Sequence, residues 1–390
     1  MLETVSGSRS LRAPELEWRL SAGGRGQALV ASQRGAFSLN EKNGDELNVA
    51  ADHLELELAS LARVQAISAS GNVETRAARP GREPRTTHSQ ELRARFATDG
   101  GLTQAQQWGA FRAEAGGLKA EAGLADYDAA SGALRLREQP VAWDATSRTS
   151  AEFLELRDQG NELLAKGAVR TVWQAAFTAG FGGSEPVQLT GETMRALPQQ
   201  GWARYEGKAR LWQGENRLAA EAIELFRTPQ RLSAAGGVTA MFKTGGAREK
   251  QAQPIEIRAA RFSYTATDRL GVFEGGVRAT GEFGALLAPR LELKLAPGNA
   301  GLERAHASGG VRLEETNVPA GEAGWQATSE EAQYELEPPT VVLFGGTPML
   351  FDPHRGTTRG ARLTLNLADD TISIESAEGA RTVTRRPWLQ

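Results

Sequence analysis

The chain has 390 residues, a formal net charge of −3 and 44 glycines, and it contains no cysteine. The absence of cysteine excludes disulfides, thiol catalysis and cysteine-ligated metals. The near-neutral charge lacks the basic footprint typical of nucleic-acid binding. High glycine content with only 6% aromatic residues favours short strands and tight turns over a large helical core.

The N-terminal region, residues 1–48, is predicted to be a strand region that is incomplete or leads into a first lobe. Within it, ELEWRL at 15–20 is the best short helix candidate in the chain. The opening residues lack the basic start and apolar core of a secretory signal. No apolar run approaches the roughly 20 residues that span a bilayer. By itself, this pattern favours the cytoplasm.

A six-residue pattern recurs as ADHLEL (51–56), AEFLEL (151–156), AEAIEL (220–225) and APRLEL (288–293), with a looser copy, AARFSY, from Ala259. Its last apolar residues lie two apart, which places them on one face of a strand and the intervening residue on the other. We therefore expect the apolar pairs to face an interior. The glutamates expected on the outer face are Glu55, Glu155, Glu224 and Glu292.

A Gly-x-Val sequence follows each copy, 16 to 21 residues after its alanine, at 71–73, 167–169, 236–238, 275–277 and 309–311. Glycine supplies the positive φ of a tight turn without steric cost. Each unit is therefore interpreted as strand, turn, strand. The segment ARLTLNLADDTISIES at 361–376 is predicted to be a plain hairpin with ADD as its turn.

The richest break in the strand pattern is AAFTAGFGGSEP, which predicts a boundary between two lobes. The predicted organisation after residue 48 is a first β lobe over 49–175, a linker over 176–186, a second β lobe over 187–378 and a C-terminal tail over 379–390. The apolar faces must be covered, so each sheet folds over as a sandwich, jelly roll or barrel. The interior is then either packed or an open V-shaped trough for an apolar molecule, and the low aromatic content favours the trough.

The recurring A-x-x-[LI]-x-L … A-x-G-x-V units resemble the OstA-like domain of the LptA/LptC lipopolysaccharide-transport family. The stretches GKARLWQGENRLAAEAIEL at 207–225, YDAASGALRLREQP at 127–140 and TRGARLTLNLADDTISIES near the end add to this resemblance, which covers roughly residues 50–376. It implies an all-β fold, an elongated, twisted antiparallel β-jelly-roll built as a stack of hairpins. The chain is about twice as long as a single-domain member, so two fused lobes are expected.

In function, the resemblance implies a non-enzymatic periplasmic bridge component that shields the lipid A acyl chains of lipopolysaccharide in an apolar trough. Its implied partners are lipopolysaccharide and other OstA-like domains joined by edge-strand pairing, with no nucleic acid and only indirect membrane contact. Because no export signal is visible, we expect the chain to begin inside a longer protein or its start to be misassigned. The expected lipid-lining residues are Leu54, Leu56, Leu154, Leu156, Ile223, Leu225, Phe262, Tyr264, Leu291 and Leu293.

Residues that could carry catalysis are scattered or lie in turns. Glu330–Glu331 would point to opposite faces of a strand, and Asp369–Asp370 lie in the predicted ADD turn. GFGG at 180–183 lacks the strand-to-helix context of a phosphate loop. We therefore expect no enzymatic activity, no cofactor and no metal. The histidines, which fit no metal-binding motif, are His53, His88, His306 and His354.

Two other functions stay open at this point. The first is a structural or adhesive β-repeat protein with a packed interior that binds partners at its sheet edges. The second, less favoured, is a carbohydrate-active β-jelly-roll enzyme. Trp173, Trp212 and Trp325 lie on predicted strands; a core role is expected, with contact to sugars or acyl chains as the alternative.

Overall fold

The computed structural model describes residues 2–6, 9–20, 26–40, 44–60, 63–81, 83–174, 185–243, 254–281, 283–296, 302–316, 318, 323–336, 339–354, 356–366, 371–375 and 386–387. The chain forms two compact units. The first unit contains 1–172 and 192–199, and the second contains 173–191 and 200–390. The first 48 residues therefore belong to the first unit. Whether the predicted lobes 49–175 and 187–378 are separate domains stays a prediction.

The first unit is built from antiparallel strands and one short 3₁₀ turn, Asp158–Gly160. The strands are β1 (Leu2–Ser6), β2 (Arg9–Ala13), β3 (Glu15–Leu20), β4 (Gly26–Ser32), β5 (Gly35–Asn40), β6 (Glu46–Ala51), β7 (His53–Ser60), β8 (Arg63–Ala78), β9 (Arg85–Phe96), β10 (Leu102–Ala115), β11 (Leu118–Asp128), β12 (Ala133–Arg137), β13 (Val141–Trp143), β14 (Ser147–Ser150), β15 (Phe153–Arg157) and β16 (Glu162–Trp173).

The division between the units passes through β17 (Val187–Leu197) and the 3₁₀ turn Pro198–Gln200. The remaining strands are β18 (Trp202–Gln213), β19 (Asn216–Arg227), β20 (Gln230–Lys243), β21 (Pro254–Thr265), β22 (Leu270–Gly281), β23 (Gly284–Leu295), β24 (Leu302–Glu314), β25 (Gln326–Leu336), β26 (Pro339–Phe344), β27 (Met349–Asp352), β28 (Gly356–Arg359), β29 (Arg362–Asn366), β30 (Thr371–Glu375) and β31 (Arg386–Pro387).

The predicted all-β antiparallel class is confirmed, and the described residues contain no α-helix. The short helix expected at ELEWRL is wrong, because these residues form β3 and pair with β4. Six residues are too few to stabilise an isolated helix, whereas pairing with β4 satisfies the backbone groups on one side of the strand. No helix in the described part of the chain has the length and apolarity needed to cross a membrane.

The first unit has two walls because its long strands bend. Residues 63–70 of β8 pair with β7, whereas residues 74–78 pair with β6. The neighbouring strands β9, β10 and β11 divide in the same way. We call the side that includes β6, 85–88 and 112–115 the β6 wall. The side that includes β7, 91–96, 102–108 and β12 is the β7 wall.

The two walls enclose one core. Phe37, Leu39 and Val49 of the β6 wall belong to the same buried cluster as Leu54 and Leu56 of the β7 wall. The second unit repeats the plan, since the pairing of each long strand from β18 to β25 shifts register near its middle. Each unit therefore has the folded-over, jelly-roll-like architecture that the apolar alternation predicts.

The Gly-x-Val motifs are not hairpin turns, and the strand–turn–strand interpretation is wrong on this point. Gly71 and Asn72 both have positive φ, yet they lie inside β8, at the bend where it passes between walls. A pair of positive-φ residues inserted in one strand makes a bulge, which bends the strand and lets its side chains change phase. The other strands that carry such a pair are β10 (109–110), β16 (167–168), β18 (207–208), β20 (236–237), β22 (275–276) and β24 (309–310).

The two halves of the repeated motif meet at these bends. The amide of Asp52, in the ADHLEL copy, donates to the carbonyl of Gly71 at 2.8 Å. A Cβ on Gly71 would lie 2.7 Å from the Asp52 side chain, so only glycine fits. The second residue of each other copy faces its glycine in the same way, which explains why a glycine follows every copy. These pairs are Glu152 with Gly167, Glu221 with Gly236, Ala260 with Gly275 and Pro289 with Gly309.

The predicted hairpin near the C-terminus is confirmed, because β29 pairs with β30 through Leu363↔Ile374 and Leu365↔Ile372. Its ADD turn lies outside the described residues. So do residues 176–184 of the predicted linker, including GFGG, and the predicted tail except 386–387.

Candidate functional site

A cavity of about 1280 Å³ lies between the two walls of the first unit. This volume exceeds the roughly 300–1,000 Å³ usual for small-molecule pockets. The cavity is lined by residues of both walls. Its apolar lining is Leu39, Leu47, Val49, Ala77, Leu92, Ala94, Leu102, Ala105, Leu118 and Leu134.

A buried polar bridge crosses the interior between the walls. Thr87 of the β6 wall donates to Oε1 of Gln107 in the β7 wall at 2.9 Å. Ser89 lies 3.1 Å from the same oxygen, and Thr75 and Thr87 share a 2.6 Å hydrogen bond. Gln107 is only 8% exposed. Satisfied polar groups of this kind fix the distance between two walls, since leaving one unpaired is costly.

Arg85 forms a second contact between the walls. It is half-buried in the β6 wall, and its Cζ lies 5.4 Å from the centroid of the Tyr127 ring in β11. Burial lowers the pKa of the Arg85 guanidinium, an effect that Tyr127 opposes and the charge of Arg79 reinforces. Arg85 remains charged at neutral pH all the same. Both Arg85 and Tyr127 line the cavity.

The other charged groups at the cavity are mostly paired or exposed. Arg79 contacts Asp45 at 3.2 Å, and Arg157 contacts Glu155. Asp144 accepts hydrogen bonds from the amides and hydroxyls of Thr146 and Ser147. Burial works against the charged Asp144, but these hydrogen bonds outweigh it and lower its pKa.

The predicted inward orientation of the apolar pairs is found in both units. Nine of the ten expected lining residues are buried, and the tenth, Leu293, is half-buried. One of the four expected outer glutamates departs from prediction. Glu155 is buried, because Arg135 and Arg157 cover its carboxylate from neighbouring positions.

In the second unit, the structure brings the expected residues together in two rows that cross the strands. The first row runs Ile223, Ala234, Phe262, Phe273 and Leu291 in direct register. Within it the rings of Phe262 and Phe273 stack with centroids 4.4 Å apart. The second row runs Leu225, Leu232, Tyr264, Gly271 and Leu293.

In the first unit the expected residues lie beside the cavity and do not line it. Leu154 and Leu156 pair with Leu136 and Leu134, and of these four only Leu134 lines the cavity. Leu54 and Leu56 are packed in the core cluster. Their lipid-lining role therefore stays a prediction.

Of the three tryptophans singled out from the sequence, Trp173 and Trp325 are buried and Trp212 is half-buried.

The cavity residues Arg85, Thr87, Gln107 and Tyr127 were not expected from sequence. In β9 the inward positions are 92, 94 and 96 beyond the bend but 87 and 89 before it, so the alternation changes phase. Two successive exposed residues, Gln90 and Glu91, mark that change. The sequence does contain a signal of this change of phase: Gly109, in the partner strand β10, lies against Gln90.

No metal site accompanies the cavity: the described residues include no group of three His, Asp or Glu side chains placed to hold a metal ion. Of the histidines, His306 has a carboxylate neighbour, with Nε2 2.8 Å from Glu331.

No protein-family model and no curated protein matches the chain. Among solved structures, it is similar to LptH from Pseudomonas aeruginosa, described as the LptA homologous periplasmic component of a conserved lipopolysaccharide transport device. The identity is 16%, the match covers 35% of this chain and 90% of LptH, and the TM-score is 0.28. A TM-score of this size does not establish a shared fold.

Proposed function

We propose that the protein is a non-enzymatic periplasmic component of lipid transport that shields the acyl chains of lipopolysaccharide on their way to the outer membrane. The observation that carries this proposal is the cavity of about 1280 Å³ between the walls of the first unit, whose lining combines Leu, Val and Ala side chains from both walls with polar and charged ones. A transport component needs such a space and no catalytic group.

The energetics of an acyl chain favour this use of the cavity. Each methylene removed from water contributes about 0.8 kcal/mol, so a 12-carbon chain contributes roughly 10 kcal/mol. An aqueous compartment therefore blocks passage of such a lipid unless a protein covers the chain. The two rows of buried apolar residues in the second unit offer a further interior that could open to the same ligand.

Edge-strand pairing is the proposed means of joining other OstA-like domains. Among the described strands, β1 pairs only with β2, and β3 pairs only with β4. Each therefore presents unpaired backbone groups, which another strand can complete. Trp18 and Leu20 of β3 are exposed, so apolar contact would add to backbone pairing at this edge.

The test is crosslinking to purified lipopolysaccharide with a diazirine amino acid at Ala105, which lines the cavity. The matched control is Gln104, the exposed neighbour on the same strand. Crosslinking at Ala105 and not at Gln104 is expected. Further sites at Leu156 and Leu225, with Glu224 as control, test whether lipid reaches the repeat residues. Absence of crosslinks at Ala105 in a protein with a native circular dichroism spectrum would contradict the proposal.

A structural β-repeat protein is the second candidate, and dense packing of the repeat residues favours it. Leu154, Ile223 and Leu225 have no measurable exposure, as in an ordinary protein core. If no lipid crosslinks to any interior position, and a peptide with the sequence of β1 or β3 binds the protein, this function replaces lipid transport.

A further inference from the structure

Arg85 is the most deeply placed cation at the cavity. In the part of the chain that the structure describes, no carboxylate lies within ion-pair distance of its guanidinium, and its recorded partner is the Tyr127 ring. A half-buried cation gains free energy from an anion, because the lower dielectric of a partly buried site strengthens the attraction.

The Gln107 amide adds a second donor beside Arg85. Its Oε1 is held by the hydroxyls of Thr87 and Ser89, while its Nε2 makes no hydrogen bond to a described residue. Arg85 and Thr87 lie two apart on one strand, and so face the same side. We treat the guanidinium and the amide, which both line the cavity, as one polar patch.

The charges around the cavity limit how much negative charge that patch can accept. Glu46, Glu83 and Asp158 line the cavity at exposed positions. The exposed cations Arg79 and Arg157 do not offset these three carboxylates, because each already contacts a different carboxylate. An acidic rim repels a head group with several negative charges and tolerates one with a single charge.

We propose that the first-unit cavity binds an amphiphile with a hydrocarbon chain and one negative charge, whose head group is held by Arg85 and Gln107. Apolar side chains of both walls line the same cavity, among them Leu47 and Leu134. The inference rests on the proposed lipid-binding role of the cavity, and it concerns a single-chain amphiphile whose head group enters the cavity, unlike lipopolysaccharide, of which only the acyl chains are proposed to be shielded there.

The experiment measures the affinities of dodecanoate, dodecyl phosphate and dodecanol for the full chain by calorimetry, below their micelle concentrations. Dodecanoate is expected to bind about 10- to 100-fold more tightly than dodecanol, the usual gain from hydrogen bonds to a charged group. It is also expected to bind more tightly than the more highly charged dodecyl phosphate. Acetate, which carries the same head without the chain, is expected to bind too weakly to measure.

The variant Arg85→Gln is expected to remove the preference for dodecanoate and to leave the affinity for dodecanol unchanged. The variant Arg85→Lys, which keeps the positive charge, is expected to retain part of the preference for dodecanoate. Arg93→Gln is the matched control, because Arg93 also lies over an aromatic ring, 5.5 Å from the centroid of Trp108, but is exposed. Equal affinity of the wild-type protein for dodecanol and dodecanoate overturns this inference and leaves the lipid site intact. Failure of all three chains to bind overturns the cavity as a lipid site as well.

Discussion

The hydroxyl of Thr87 donates to Oε1 of Gln107 across the interior of the first unit, joining residues that belong to opposite walls. The contact lies close to the bends in β9 and β10. It therefore sets the separation of the walls next to the cavity, where the apolar core is interrupted.

Removal of this bond is expected to destabilise the first unit. Thr87→Val keeps the shape of the side chain but removes the partner of the buried Thr75 hydroxyl and one of the two donors to Gln107, which costs about 1–3 kcal/mol. Urea unfolding measures the change in the free energy of unfolding. Thr86→Val, the same substitution at the half-buried adjacent position, is the control, and equal effects of the two would show that the bridge adds no stability.

The bend in β20 offers a matched pair of glycines. A Cβ on Gly236 would lie 2.5 Å from the Cβ of Glu221, whereas a Cβ on Gly237 meets nothing within 4 Å. Gly237→Ala is expected to cost about 1–2 kcal/mol from its positive φ alone. Gly236→Ala is expected to cost a further 1–3 kcal/mol, roughly, from overpacking. Thermal and urea unfolding of the two variants test this order, which the reverse result would refute.

In the second unit, the extent to which a repeat residue is buried predicts how far its replacement by alanine lowers the free energy of unfolding. Leu225 is fully buried, so Leu225→Ala is expected to lower the free energy of unfolding by about 2–5 kcal/mol. Leu293 stands in the same cross-strand row but is half-buried, and Leu293→Ala is expected to cost less. Comparable losses at both positions would mean that Leu293 is covered in solution by another group.

Acid is expected to weaken the first unit through Asp144. Its folded-state pKa lies below the ordinary value, so the charged form is stabilised by folding. That stability is present above about pH 4, the unfolded pKa of aspartate, and is lost as the pH falls through the folded pKa.

The measurement is the difference in unfolding free energy between pH 6 and pH 3. It is expected to be smaller in Asp144→Asn than in the wild-type protein, because the amide does not titrate. Asp99→Asn, in an exposed turn, is the control. A difference unchanged by Asp144→Asn would rule out this carboxylate as a source of acid sensitivity.

The alternation of apolar residues predicted most of the fold, because successive side chains of a strand point to opposite faces and the apolar ones face the interior. It placed Leu54 and Ile223 inside correctly. It misassigned ELEWRL, where a run of six residues has the composition of a helix but gains its hydrogen bonds from β4. Local preference is weak in so short a segment, and strand pairing decides the outcome.

An open interior was among the predictions, but the position and lining of the cavity could not be predicted, because they depend on a change of phase inside strands. Extending the period-two pattern of β9 backwards from Leu92 places Gln90 and His88 inside, yet Thr87 and Ser89 face the interior. Bulges in both neighbouring strands, at Gly71–Asn72 and Gly109–Ala110, face this point of β9. A pattern read within one strand does not contain that information.

Because each long strand runs through both walls, the fold can grow by small steps. Duplicating one hairpin would lengthen both walls by the same two strands and extend the interior without altering its cross-section. Each added pair would need only a glycine and a small or acidic residue facing it, as at Gly236 and Glu221. Length is thus a quantity that evolution or a protein engineer can adjust in units of one hairpin.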